Sequence, residues 1–294
     1  MRGHGFDILD VHHHVGDAFT ALGGELDTTA GRTPAVRDRL ELEHRLAVMD
    51  RDDVAQAIVI PGHGYLRPDG IRDTRRVNDA IATYRDHRPD RFPAAVGIVE
   101  PSHGPASLDE IERLHDELGL AGISFHTRFQ GVSLDSKWIE RAIERMASHQ
   151  LVPVIHAMDE TPEEALWKLG ALARRFPEVP MLALDAFGSY ESTRQCFFIA
   201  EIAPNLVFDT SLSHNFDFIE DFAGRFGAER VVFGTDLYSW PVGRRISHLL
   251  DQIVASGLSR QDKAAMLGGN ARRLYRLTAP IEGRGPGSPN SSVV

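Results

Sequence analysis

The stretch Asp10-Val11-His12-His13-His14 carries the densest chemistry in the chain. On an extended strand alternate side chains share a face, so His12 and His14 project together, about 7 Å apart at Cα, while His13 points the other way. Two imidazoles held so on one rigid strand can converge on a single cation. An expression tag would be longer and would not follow an apolar run. A purely structural pair would need two buried partners. Metal ligation is the reading that uses the spacing. His156 ends the run VPVIHAMD, and Asp236 sits in FGTD. Taken singly, the first reads as a core histidine and the second as a helix cap. Together they add a nitrogen and a carboxylate to the pair. That donor set suits one divalent ion, with Zn²⁺ expected and Mn²⁺ the other candidate. Asp236 could also accept a proton from water whose pKa the ion lowers to ~7.

Rigid elements must position these residues. Eight short apolar runs occur in order, at 8–15, 54–62, 92–101, 120–126, 152–159, 180–188, 205–213 and 231–238. Continuous rather than alternating hydrophobicity is the pattern of strands covered on both faces. Helical periodicity lies between them. Leu42, Leu46 and Met49 mark one helix, and Leu108, Ile111, Leu114 and Leu118 another, with Ser107 and Glu110 spaced as a capping box at its start. Thr161-Pro162-Glu163-Glu164 predicts a further helix start with acids in its first turn. Eight strand–helix repeats at this length predict an α/β fold, a single-domain (β/α)8 barrel over residues 1–280. A doubly wound open sheet would instead call for a glycine-rich first turn. Residues 16–37 form an insertion after the first strand, placed to overhang the mouth. Residues 281–294 are Gly/Pro/Ser-rich and predict a frayed tail. Barrel active sites gather at the C-terminal ends of strands, where His12, His14, His156 and Asp236 all fall.

Composition narrows the function. The 294 residues carry 32 basic and 42 acidic side chains, net −10, which argues against nucleic acid or an anionic membrane as partner. The lone cysteine, Cys196, permits no internal disulfide and completes no thiolate site; its apolar company, CFFIA, suggests a core thiol. MRGHGFDILD has no apolar leader, and no run reaches ~18 apolar residues. A cytoplasmic enzyme acting on a small molecule is expected, with a homodimer left open.

DVHHH, PDRFPAAVGIVEP, GISFH, VPVIHA, FGTD and MLGGNARRLYRL, in that order over residues 7 to 277, make the chain resemble the amidohydrolase-related TIM-barrel proteins. The resemblance is to the branch of aminocarboxymuconate-semialdehyde decarboxylase-like enzymes and small metal-dependent hydrolases. It implies that His12, His14, His156 and Asp236 bind one metal. The family also carries a catalytic histidine at the end of strand six, but the matching position here is Ala186, which cannot transfer a proton. The lysine that supports a second metal in some relatives has no match near His156, so a mononuclear site is expected.

The proton-transfer candidates are therefore Asp236, Asp185 and His126, with His214 as a further group that could fill the vacancy. His63, Arg128 and His214 are candidate substrate contacts, with Asp159 and Tyr238 as further strand-end polar groups. Arg128 could grip a carboxylate through its planar fork. The first expectation is a hydrolase of a small cyclic or carboxylated lactone, amide or ester, using metal-activated water. The alternative is nonoxidative decarboxylation on the same site. A binding protein that has lost the chemistry is the third reading, opposed by retention of all four ligand positions.

Overall fold

The computed structural model describes residues 3–15, 34–62, 69–158, 161–213, 215–239 and 248–277. Eight parallel strands are paired in sequence order: β1 (Leu9–Val15), β2 (Gln56–Pro61), β3 (Ala94–Ile98), β4 (Gly122–Phe125), β5 (Val152–His156), β6 (Met181–Leu184), β7 (Leu206–Asp209) and β8 (Val231–Val232). The eighth predicted run keeps strand pairing over only two residues. Beyond it the chain closes the barrel by single hydrogen bonds to β1: Val11 N donates to Phe233 O, His14 N to Leu237 O, and Leu237 N to His12 O. Helices α1 (Pro34–Arg51), α2 (Ile71–His87), α3 (Pro105–Asp116), α4 (Thr127–Gln130), α5 (Lys137–Ser148), α6 (Leu166–Arg175), α7 (Tyr190–Ile202), α8 (Phe216–Phe226), α9 (His248–Ala255), α10 (Arg260–Ala264) and α11 (Asn270–Leu274) cover the outside. The (β/α)8 barrel is a single domain.

Both strand faces are apolar because both are buried. Leu9, Val11, Ile58, Ile60, Val96, Val154, Leu182 and Leu184 fill the interior. The alternate residues Ala57, Val59, Ala95, Ile123, Ile155 and Ala183 pack against the helices. This two-sided demand explains the continuous apolar runs.

Two helix starts differ from expectation. Ser107 lies inside α3, which begins at Pro105; its hydroxyl binds Glu100 O, and Glu110 is buried against Asn78, Arg75 and Arg113. The predicted capping box is thus two buried residues engaged elsewhere, Ser107 with the preceding turn and Glu110 with α2. Likewise α6 starts at Leu166, and Glu164 turns inward to zero exposure instead of capping it. Residues 16–33 of the predicted insertion, and the predicted tail 281–294, lie outside the described residues, while 34–37 belong to α1. Among the described residues no helix is long and apolar enough to cross a membrane.

Candidate metal centre

The histidine pair reaches the interior through a register slip. Asp10 lies opposite Ala57, but His13 lies opposite Val59, so β1 carries one residue more than β2 between them. Without the slip the inward set Leu9, Val11 would continue to His13. With it, His12 and His14 take the inward positions. Asp10 holds the slip. Its carboxylate accepts from His12 N (2.9 Å), His13 Nε2 (3.0 Å), Thr235 N (3.1 Å) and Thr235 Oγ1 (2.6 Å). Burial opposes ionisation of Asp10, yet His13, Thr235 and the His12 backbone keep its pKa below the ordinary value.

His156 arrives across the barrel by unbroken alternation from Val152 and Val154. The Nε2 atoms of His12 and His14 are 3.0 Å apart, and those of His14 and His156 are 3.4 Å apart. Asp236 Oδ1 lies 3.4 Å from His12 Nε2 and 3.6 Å from His14 Nε2. All four side chains are buried. Their outer nitrogens fix the tautomers: Nδ1 of His12 donates to Asp209 Oδ2 (2.9 Å), Nδ1 of His14 to Pro61 O (3.2 Å), and Nδ1 of His156 to Phe125 O (3.2 Å). Carbonyl and carboxylate oxygens only accept here, so each Nε2 is left with its lone pair facing the others. Nitrogens at such distances repel unless a proton or a metal ion lies between them, and a divalent ion fits that donor set.

The field favours a cation as well. Burial disfavours a charged His12 ring, but Asp236, Asp209 and Asp185 together lift its pKa to about 10. A cavity that attracts a proton so strongly attracts a metal ion for the same reason. Asp185 and Asp236 both adopt left-handed backbone, at φ 63° and 56°, as does Leu212 at 56°. Three such residues follow strands six, seven and eight, and strain of this kind collects at functional sites.

The strand-six position has a structural answer. Leu182 and Leu184 point inward, and alternation would next bring Ala186 inward. The left-handed turn at Asp185 reverses that order. Asp185 faces the site, its Oδ1 3.9 Å from His12 Nδ1 and accepting from Ser211 Oγ at 2.8 Å, while Ala186 packs into the core between sheet and helices. Cys196, the buried thiol, donates to Ala186 O.

His126 follows β4 and stacks on His156, with ring centroids 4.1 Å apart and planes 2° apart. Its Nδ1 meets the buried Glu164 carboxyl. Burial pushes the Glu164 pKa up to about 8, against the Arg128 backbone N–H and guanidinium. The pair therefore holds a proton near neutrality. Arg128 turns toward Glu164 (Nε to Oε2, 3.4 Å) and lies over Phe129. Tyr238 stacks on His14, with centroids 4.6 Å apart. His63, Asp159 and His214 lie outside the described residues.

Four neighbours of the site escape a motif reading. Asp209 continues an inward alternation from Val207, and that strand-end logic could have found it. Ser211 bridges Asp209 and Asp185 through a bend that no periodicity marks. Glu164 is hidden by its likeness to a helix-start acid. Arg45, fully buried on α1, ties that helix to the mouth through His14 O (2.7 Å), Ser239 Oγ (3.2 Å) and Tyr84 Oη (3.0 Å).

A family profile described as "Amidohydrolase" matches residues 9–277. A 2-amino-3-carboxymuconate-6-semialdehyde decarboxylase from Dictyostelium discoideum is 24% identical over 275 residues, covering 79% of this chain and 76% of that protein. The solved 5-carboxyvanillate decarboxylase of Novosphingobium aromaticivorans, with bound manganese, superposes with a TM-score of 0.66 at 17% identity, covering 93% of this chain and 98% of that one. The 4-oxalomesaconate hydratase of Rhodopseudomonas palustris gives 0.67 at 17%, covering 92% and 95%.

Proposed function

This chain belongs to the amidohydrolase family, and from that premise we propose that it is a metal-dependent carboxy-lyase, releasing carbon dioxide from a small hydroxyaromatic or unsaturated carboxylic acid. The observation that carries the reading is the convergence of His12, His14, His156 and Asp236 beside the proton-holding His126–Glu164 pair. The decarboxylases among its relatives support it over the hydrolysis that the sequence first suggests. His12, His14, His156 and Asp236 would hold one divalent ion, Mn²⁺ or Zn²⁺. When bound, that ion supplies the positive charge that orients the substrate's carboxylate and a neighbouring oxygen.

This chain's own residues do the rest. The bond from the substrate carbon to its carboxylate breaks, the electron pair stays on carbon, and carbon dioxide leaves. That carbon then needs one proton. His126 is the donor in this scheme: it lies against His156, and Glu164 keeps it supplied and oriented. Asp185 stays engaged, its carboxylate accepting from Ser211 Oγ and its backbone N–H donating to Asp209 Oδ1, holding the His12 side of the cavity.

The test offers the metal-loaded protein a panel of hydroxybenzoates and conjugated dienoic acids, and separately lactones, amides and esters. Carbon dioxide release on the first panel, cut ~10²-fold or more by His126→Gln as expected for a general acid, is the predicted result. Hydrolysis without carbon dioxide release on any acid would overturn the reaction class.

A further inference from the structure

Among the described residues, three groups of imidazole and carboxylate donors converge closely enough to share an ion, and two of them belong to the barrel centre. The third lies outside the barrel wall. His115, Asp116 and His149 each present a ligand atom within 4.8 Å of the other two. His115 and Asp116 end α3, and His149 caps the C-terminus of α5. From those ends the chain turns back to begin β4 and β5, so the cluster sits at the bottom rim, opposite the mouth.

The inner faces of both helices are packed without it, α3 through Ile111 and Leu114 and α5 through Ile139, Ile143 and Met146. The two imidazoles meet between the helix ends, with ring centroids 4.7 Å apart. A carboxylate holds one nitrogen of each ring. His115 Nδ1 lies 2.7 Å from Asp116 Oδ1, and His149 Nε2 lies 2.5 Å from Glu112 Oε2. Arg145 takes the other oxygen of Glu112 and, together with His149, keeps that carboxyl below its ordinary pKa. An imidazole that donates one N–H to a carboxylate keeps a lone pair on its other nitrogen, which is how metal-bound histidines are usually held. Charge points the same way. Each helix C-terminus carries roughly half a negative charge, and two such ends meet here. Asp116 adds a full negative charge where the α3 dipole disfavours one, while the guanidinium of Arg145 is already committed to Glu112.

We propose that His115, Asp116 and His149 form an exterior site for one borderline divalent ion such as Zn²⁺, with Glu112 as the outer carboxylate that orients His149. Two nitrogens and one oxygen suit such an ion better than Mg²⁺ or Ca²⁺, which prefer oxygen alone. His115 and Asp116 are exposed, so water completes the coordination and the ion exchanges with solvent. Bound there, it pins the end of α3 to the end of α5. The site stands apart from the barrel centre, and its test needs no activity.

Equilibrium dialysis of the full chain against Zn²⁺, from sub-micromolar to sub-millimolar, should resolve two classes of site. His115→Ala and His149→Gln should each remove the exterior class and leave the barrel class at its wild-type affinity. Asp116→Asn should weaken the exterior class by more than the ~10-fold that loss of a mere outer partner can cost. Circular dichroism should stay at the wild-type value, since these side chains lie outside the packed faces. His12→Ala should keep the exterior class, and the difference between His12→Ala and the double variant H12A/H115A should be one ion. That difference reads the exterior site even if the barrel binds no metal. Binding in His115→Ala and His149→Gln equal to wild type overturns the proposal. An exterior class that survives Asp116→Asn undiminished overturns the three-donor site and leaves a simple histidine pair.

Discussion

Asp209 shows how much of the site's chemistry rests on residues that would touch neither metal nor substrate. Its carboxylate accepts from His12 Nδ1–H and from Ser211, which also reaches Asp185. Gly234 leaves the room it needs, since a Cβ there would lie 2.6 Å from Asp209 Oδ2. Outer carboxylates of this kind typically carry 10–100-fold of metal affinity. Asp209→Asn should therefore weaken Mn²⁺ or Zn²⁺ binding by about that factor, read by competition with a chromophoric chelator. Unchanged affinity would show that the His14 and His156 side fixes the site alone. Glu164 supplies a pH test. Its folded pKa, about 8, stands above the ordinary 4.5, so the native state binds the proton more tightly than the unfolded chain. Its contribution to stability is full below about 4.5 and is lost as pH rises through about 8. Urea unfolding in chelator should show wild type losing stability across that window relative to Glu164→Gln. Parallel curves would mean that Glu164 is ionised throughout.

At the scale of elements, two small irregularities aim the side chains. The register slip in β1 turns two histidines inward, and the left-handed turn at Asp185 exchanges Asp185 for Ala186. The second makes a counterintuitive prediction. Restoring the family's strand-six histidine as Ala186→His should produce no catalytic gain, because that side chain packs in the core outside the barrel wall. It should instead cost about 1–3 kcal/mol by overpacking. Asp185→His, at a backbone conformation that His tolerates better than most residues, is the substitution that would put an imidazole in the cavity. A gain in turnover from Ala186→His, with the fold intact by thermal melt, would show that the turn is reversed in solution.

For the whole molecule, the barrel core and the metal centre are separate sources of stability. The interior and sheet–helix clusters are continuous without the site, so the apo protein should fold. An ion at ~100 times its Kd should then add about 2.7 kcal/mol, or about 5–10 °C in Tm for a barrel of this size. His12→Ala should fold with near-wild-type apo stability and lose that metal-dependent shift. A stripped wild type that is unfolded would instead make the ion part of the core.

The strand count, the barrel and the four converging residues were legible because each rests on local pattern. Two-sided burial forces apolar runs, and parallel strands deliver their C-terminal ends to one rim. Ser107, Glu110 and Glu164 read as helix-start residues because capping is also local, yet Glu110 and Glu164 are claimed by partners 32 and 38 residues away, and Ser107 by the carbonyl of Glu100 ahead of its helix. The direction of Ala186 was beyond any alternation rule, since one residue at positive φ inverts every face after it. Pairing of His126 with Glu164, and of His12 with Asp209, joins segments 38 and 197 residues apart. Only the closed barrel brings such segments together, because its circular wall decides which strand ends face one another across the mouth.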